Sequence, residues 1–328
     1  MTGTTRKISK TRRKRVRGSH GKKHGKRATK HVKKSKKSKR TRKLKKMQCG
    51  PEGNKKGYTC IRDKSICKLK SLWNKRHPDD TIHDTSIHNT WGKLKTKLRN
   101  VCDKESCWLK QQFVNGELND ELQTAFAPEA PQKWKKSPNE WLSSNDITSV
   151  MKQYENKYKC FSFIGPSPID YNTRKRYGEC VWEELCHFSL ANEIKNGKKK
   201  IGIIFNLDPH YKSGSHWVSL FINIEKRLIF YFDSVGHAVP AKIKKFVKEV
   251  TLQGTQLSSE HGSGPIKFEF DENSPFEHQQ EDTECGIYSL FFIISLLEDT
   301  HNERYFKTNL ITDKCVERFR KIYFNETL

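Results

Sequence analysis

The sequence predicts an α+β fold, a central mixed sheet packed by helices, preceded by a small, mostly helical module and by a disordered basic arm. Three observations lead there. Between residues 201 and 232, three apolar runs of five to nine residues, rich in Ile, Val and Phe, are separated by turn residues and read as neighbouring strands. Residues 285–297 are apolar on all sides, as a buried helix is. Residues 1–46 hold 23 Lys or Arg and no Asp or Glu, with almost nothing apolar, so this stretch cannot offset its own ordering entropy.

The remaining composition is that of a globular protein. Seven Trp and eighteen Phe in 328 residues suffice for a core. The net charge of +27 belongs to the arm, because the rest of the chain carries 41 basic against 37 acidic residues. Dense like charge extends a chain and binds polyanions by counterion release, so nucleic acid is the expected partner of residues 1–46. No stretch approaches the roughly 18 apolar residues of a membrane span, and the N-terminus lacks a signal peptide's apolar core. Ten scattered cysteines point to a reducing compartment and to mostly free thiols, in a protein that is not secreted.

Along the chain, residues 47–130 show helix-like patches at 91–98 and 107–113. Pro128, Pro131 and Pro138 mark a linker into a domain spanning 131–328. In that domain 141–154 reads as a helix and 160–164 as a short strand before Pro166 and Pro168. Strands are expected at 201–207, 216–224, 228–232 and 266–270, and helices at 240–252 and 285–297.

Thiol proteolysis needs a thiolate, an imidazole partner, a group fixing that imidazole, and donors for an oxyanion. Cys285 stands where polar residues 281–284 give way to the apolar run. It is therefore expected at a helix N-terminus, where the dipole and free N–H groups favour a thiolate. His216 follows the turn Ser213-Gly214-Ser215 and opens one strand, and Asp233 closes the next. An antiparallel hairpin through 225–227 sets them side by side. Gln279, six residues before Cys285, lies on the entry to the nucleophile helix, with Gln280 as a rival donor. Taken singly, each residue has an ordinary structural reading, and only the joint order changes that.

H-W at 216–217, F-D-S at 232–234 and Q-x-x-x-x-x-C-G at 279–286 resemble the signature of the ubiquitin-like-protein protease superfamily. That group includes the SUMO proteases, the adenovirus protease and virion proteases of large DNA viruses. The resemblance implies a papain-like, adenain-type core with His216, Asp233 and Cys285 as a triad and Gln279 as oxyanion donor, needing no cofactor. W-L-S-S-N-D-I at 141–147 is similar to the family's opening segment. By that match Trp141 and Trp217 would wall a narrow groove for a Gly-Gly terminus. The strings at 163–171 and 208–217 look closer to the viral branch, which implies a virion core and host cytoplasm as location. The stretch Asp282-Thr283-Glu284 departs from the family, which often has a Gly there, and its acids, with Glu281, oppose a thiolate.

Rival readings remain. Cys49, Cys60, Cys67, Cys102 and Cys107, with His77, His83 and His88, offer zinc ligands. Their gaps of ten, six and four residues fit poorly with the roughly two to four of a zinc knuckle, so no metal is expected. The substrate is expected to be a viral structural precursor cleaved at Gly-Gly-X, the alternatives being a ubiquitin-like conjugate or a nucleic-acid-packaging role without cleavage.

Overall fold

The computed structural model describes residues 43–54, 56–257 and 264–326. Most of the expected basic arm lies outside these. Its last four residues are described, and there Leu44 packs on the module's core while Lys45 N donates to Asp103 O at 2.7 Å.

The module is built from α1 (Asp63–Arg76), α2 (Ile87–Leu98), α3 (Glu105–Leu109) and α4 (Asn119–Thr124). Ser86 caps α2 by accepting from Asn89 N. The apolar faces of α1 and α2, with Ile66, Leu69, Leu94 and Leu98, close over Trp108 and Val114. Buried Glu121 accepts from Arg62 N (2.6 Å), Arg62 Nε (2.6 Å) and Ser65 Oγ (2.9 Å), fixing the entry to α1. The helix expected over 107–113 is instead the five-residue Glu105–Leu109, followed by turns that pass through Asn115 and Gly116, both in the left-handed region.

After the module come α5 (Ser144–Lys157), β1 (Phe161–Pro168), α6 (Glu183–Cys186), α7 (Leu190–Lys195), β2 (Lys200–Asn206), β3 (Trp217–Asn223), β4 (Leu228–Phe232), α8 (Ala241–Thr255), β5 (Glu269–Glu272), α9 (Cys285–Leu297), α10 (Tyr305–Thr308) and α11 (Asp313–Tyr323). The sheet runs β1-β2-β3-β4-β5, parallel at its two outer pairs and antiparallel within. It is the mixed sheet with helices that the sequence predicts. Alternation along each central strand divides the core. Trp217, Phe221, Phe230 and Phe232 face α5, α9 and α11, whereas Val218, Leu220, Ile222, Ile229 and Tyr231 face α7 and α8. Helices on both faces explain why these strands read as unbroken apolar runs.

Several boundaries differ from expectation by a few residues; β5 runs over Glu269–Glu272 where 266–270 is expected, and two others have a clear cause. β1 continues through both prolines to Pro168, which an edge strand tolerates, and its register shifts between Ile164 and Ser167. α5 starts at Ser144 because Ser143 and Asp146 form a capping box, leaving Trp141 and Leu142 before the helix.

The cysteine expectation is overturned. Six of the ten are paired, as Cys49–Cys60, Cys102–Cys107 and Cys180–Cys186, leaving Cys67, Cys160, Cys285 and Cys315 free. Local turns bring each pair's Cα atoms to between 5.1 and 6.3 Å, a proximity that sequence spacing does not reveal.

The C-terminal segment ties down the chain on either side of α1–α4, and these helices form one compact unit with the sheet. Asn325 Nδ2 donates to Gln48 O (3.0 Å) and Ala127 O (2.7 Å), and its Oδ1 accepts from Gln48 N (2.7 Å).

On β2, Gly202 lets α9 approach closely. A Cβ there would lie 2.8 Å from Ile293 Cγ2 and 3.0 Å from Phe161 Cζ. Gly202→Ala is expected to cost about 1–3 kcal/mol through overpacking. Urea denaturation checks this, and an unchanged midpoint would contradict the close packing of α9 on β2.

Candidate active site

Cys285 is the first residue of α9 and is 1% exposed. The first bond of the helix ladder runs from Tyr288 N to Glu284 O. The N–H groups of residues 285–287 are thus left outside the ladder at the positive end of the dipole. A Cβ on Gly286 would stand 3.1 Å from Leu142 Cβ and 3.3 Å from Trp217 Cδ1, so the glycine lets the helix start press against that wall.

His216 immediately precedes β3, and Asp233 immediately follows β4. The antiparallel register pairs Ser219 with Phe232, which brings the two residues together at the same sheet edge, as the hairpin argument requires. His216 Nε2 lies 2.7 Å from Asp233 Oδ1. Cys285 lies near enough to the same ring to act on its charge. Burial alone favours the neutral imidazole, but the bonds to Asp233 and Cys285 outweigh it and raise His216 to about 9. Asp233 is fully buried, and its Oδ1 also accepts from Val235 N at 3.0 Å. Asn273 clamps its backbone, accepting from Asp233 N (2.9 Å) and donating to Asp233 O (2.8 Å).

Gln279 is buried and Gln280 is exposed, so the structure directs Gln279 inward. Ser234 Oγ donates to Gln279 Oε1 at 2.7 Å, which fixes the amide's orientation and points Nε2 at Glu281 O, 2.5 Å away. One Nε2–H remains for another acceptor. The backbone N–H groups of His278 and Gln279 both donate to Ser234 O at 2.8 Å, tying this loop to the end of β4.

Trp141 and Trp217 line one cleft of about 610 Å³, together with Leu142, Gly214 and Trp182. Trp217 is buried, and its Nε1 donates to Leu142 O at 3.1 Å, whereas Trp141 is half-exposed. The cleft adjoins His216 through Ser213 and Gly214 and reaches the start of α9 through Leu142 and Trp217.

The acidic stretch before Cys285 is neutralised by a residue the sequence did not single out. Glu281 and Asp282 face solvent, while buried Glu284 pairs with Arg320 of α11 at 3.3 Å. Arg320 also donates to Glu140 O (2.9 Å), Asn139 O (3.2 Å) and Thr283 O (3.1 Å) and lies over the Trp134 ring at 4.6 Å. Flanked by Arg318 and Lys321, it carries no distinguishing signal in the sequence. Ser234 was legible as part of F-D-S but not as the anchor of Gln279, and Asn273 was not legible at all.

The zinc set weighed in the module is not assembled. Four of its five cysteines are paired with one another, Cys67 is exposed on α1, and His77 stacks on Trp73 at 3.9 Å.

Arg320→Ala leaves Glu284 buried without its partner and is expected to cost about 3–5 kcal/mol in denaturant unfolding. A loss under about 1 kcal/mol would show the pair to be incidental. His216 adds a pH dependence. Its folded-state value of about 9 lies above the ordinary 6.5, so its contribution to stability is complete below about pH 6.5 and is lost as pH rises through about 9. The difference in unfolding free energy between wild type and His216→Gln should shrink over that window, and a flat difference would argue against the raised value.

Residues 139–328 match the model of the Ulp1 protease family, C-terminal catalytic domain. Over 297 residues the chain is 27% identical to a protein of Acanthamoeba polyphaga mimivirus named as a thiol protease, covering 84% of this chain and 92% of that one. It is 26% identical over 247 residues to a cysteine protease of African swine fever virus, covering 70% and 86%. A crystal structure of the African swine fever virus protease superposes with a TM-score of 0.59 at 21% identity, covering 85% of this chain and 96% of that chain, a likeness of fold. With a thiol at the head of a buried helix, an imidazole and carboxylate beside it, and this match, the chain belongs to the Ulp1 protease family of cysteine proteases.

Proposed function

We propose that this protein is a viral thiol endopeptidase that cleaves after Gly-Gly in structural precursor polyproteins during virion maturation. The observation that carries the reading is His216, bonded to Asp233 through Nε2 and set beside Cys285 at the head of α9. In the proposed mechanism the Cys285 thiolate attacks the carbonyl of the second glycine. The Cys285 N–H and the remaining Nε2–H of Gln279 hold the oxyanion. His216, kept protonated by Asp233, delivers its proton to the departing amine, then activates water to release the acyl-enzyme. Trp141 and Trp217 flank the extended substrate and leave room only for glycine side chains.

Residues 1–46 serve in this reading as a tether to the genome, 47–130 as an accessory module and 131–328 as the catalytic domain. The viral origin of the relatives is consistent with the precursor role. A second reading, removal of a ubiquitin-like modifier, draws on the family match and on African swine fever virus relatives named SUMO-1 cysteine protease.

Wild type and Cys285→Ala are to be compared on Gly-Gly-X peptides and on ubiquitin-like conjugates under reducing conditions. Cleavage is expected to fall about a thousandfold or more in the variant. Preference for conjugates over peptides would select the second reading. Silence of the wild type on both would end this assignment of substrate class and favour packaging. Asp233→Asn removes the carboxylate that raises His216, so the alkaline limb of the pH profile should move down from about 9 toward 6.5. A limb that stays in place assigns it to another group. Deleting residues 1–46 should abolish any stimulation by nucleic acid at low salt while leaving peptide cleavage intact, and lost peptide cleavage would refute the tether role.

A further inference from the structure

The connection from β1 to β2, residues 170–188, supplies Lys175, Val181 and Trp182 to the wall of the cleft. Lys175 N donates to Glu179 O at 2.7 Å and Arg174 bridges Cys180, closing a small hairpin. At its base, buried Cys180 meets Cys186 at the end of α6 and His187 next to it. The two sulfurs and a ring nitrogen of His187 all lie within 4.8 Å of one another. Glu183 organises the group. Its Oε1 accepts from Cys180 N at 2.6 Å, and its Oε2 lies 3.1 Å from His187 Nε2.

A plain disulfide has no use for an imidazole beside both sulfurs, nor for a carboxylate that orients it. The protein's other sulfur pairs lack this arrangement. Cys102–Cys107 is met by the amide of Gln111, and among the described residues the cluster at 180–187 is the group of three metal-capable side chains. Two thiolates and an imidazole form a soft donor set that selects zinc. Glu183 Oε2 beside His187 is the carboxylate–histidine arrangement that orients zinc ligands.

We propose that in the reduced protein Cys180, Cys186 and His187 bind Zn²⁺, with Glu183 orienting His187 and solvent completing the tetrahedron. Binding releases both thiol protons to solvent and involves no change of oxidation state. The ion pins the hairpin to α6 and thereby sets one wall of the cleft, apart from the residues assigned to the chemistry.

The test is zinc content of the full chain, purified under reducing conditions with added zinc and then desalted. About one zinc per chain is expected in wild type and in Cys285→Ala, and less than about a tenth in Cys180→Ser and Cys186→Ser, the latter a half-exposed position that tests the site if Cys180→Ser fails to fold. His187→Ala and Glu183→Gln should weaken zinc affinity about tenfold or more. Cobalt substitution should give a thiolate charge-transfer band that Cys186→Ser removes. Wild-type zinc below about a tenth of an equivalent, with a Cys180–Cys186 peptide linked in non-reducing mapping, would make this a structural disulfide and overturn the proposal. Zinc lost in Cys285→Ala but kept in Cys180→Ser would place the metal on the nucleophile and overturn it equally. None of these readouts uses proteolysis, so their failure leaves the protease reading standing.

Discussion

The enclosure of α9 is the constraint on which the site depends. All thirteen of its residues are buried, and a helix apolar on every side must be covered on every side. β3 and β4 supply one cover, with Phe292 stacked on Phe232 at a centroid distance of 4.7 Å, and α5 and α11 supply the others. Only the helix's ends remain for function. Because the strands beneath α9 are the ones whose ends carry His216 and Asp233, a single packing arrangement sets thiol, imidazole and carboxylate against one another. The register of Ser219 on Phe232 fixes the second distance, and the depth of α9 on the sheet fixes the first.

Burial creates an electrostatic problem that α11 resolves. Three acids within 281–284 would oppose a thiolate at Cys285. Two are turned to solvent, where water screens them. The third, Glu284, is held by Arg320, whose own basicity is weakened by burial and partly restored by Glu284 and, from farther off, by Cys285. A guanidinium suits this place because its fixed fork reaches several carbonyl oxygens at once. Those oxygens belong to residues 139, 140 and 283, so one side chain joins the approach to Trp141 with the approach to Cys285.

What the sequence made legible was what repeats or stands in order. Apolar runs gave β4 and α9 at their observed bounds, and the histidine, aspartate, glutamine and cysteine fell into order along the chain. The structure adds that His216, Asp233 and Cys285 meet and that Gln279, not Gln280, turns inward. Residues that act through tertiary contact were hidden, since nothing local distinguishes Arg320 from its basic neighbours or Asn273 from a turn asparagine. The cysteine reading failed for the same reason. Spacings of 5, 6 and 11 residues do not disclose that turns bring the Cα atoms together. β1 misled because prolines normally end strands, and its place at the sheet edge removes the penalty.

The cleft has walls of unlike rigidity. Leu142 and Trp217 line its inner wall and belong to the core packed on α9, with Gly286 of that helix close behind them, so that wall can shift only if the core does. The outer wall is made by two connections, 170–188, whose Tyr171 and Phe188 pack on Phe246 of α8, and 207–215. Polar contacts tie the two connections to each other and to β2. Asp170 accepts from His210 N (2.9 Å) and meets His210 Nδ1 (2.7 Å), while Asn206 Oδ1 accepts from Asp208 N (2.9 Å) and Ser215 N (3.2 Å). Gly214, at φ +98°, is required where this loop closes, since a Cβ would stand 2.7 Å from Asn206 Nδ2. His216 follows this loop directly, so the loop's polar ties fix the backbone from which the imidazole starts. Under the proposed reading, narrowness at the scissile bond is then a property of the inner wall. Discrimination among flanking residues falls to the outer one, where Lys175, Asp208 and Lys212 can change without disturbing the geometry around Cys285.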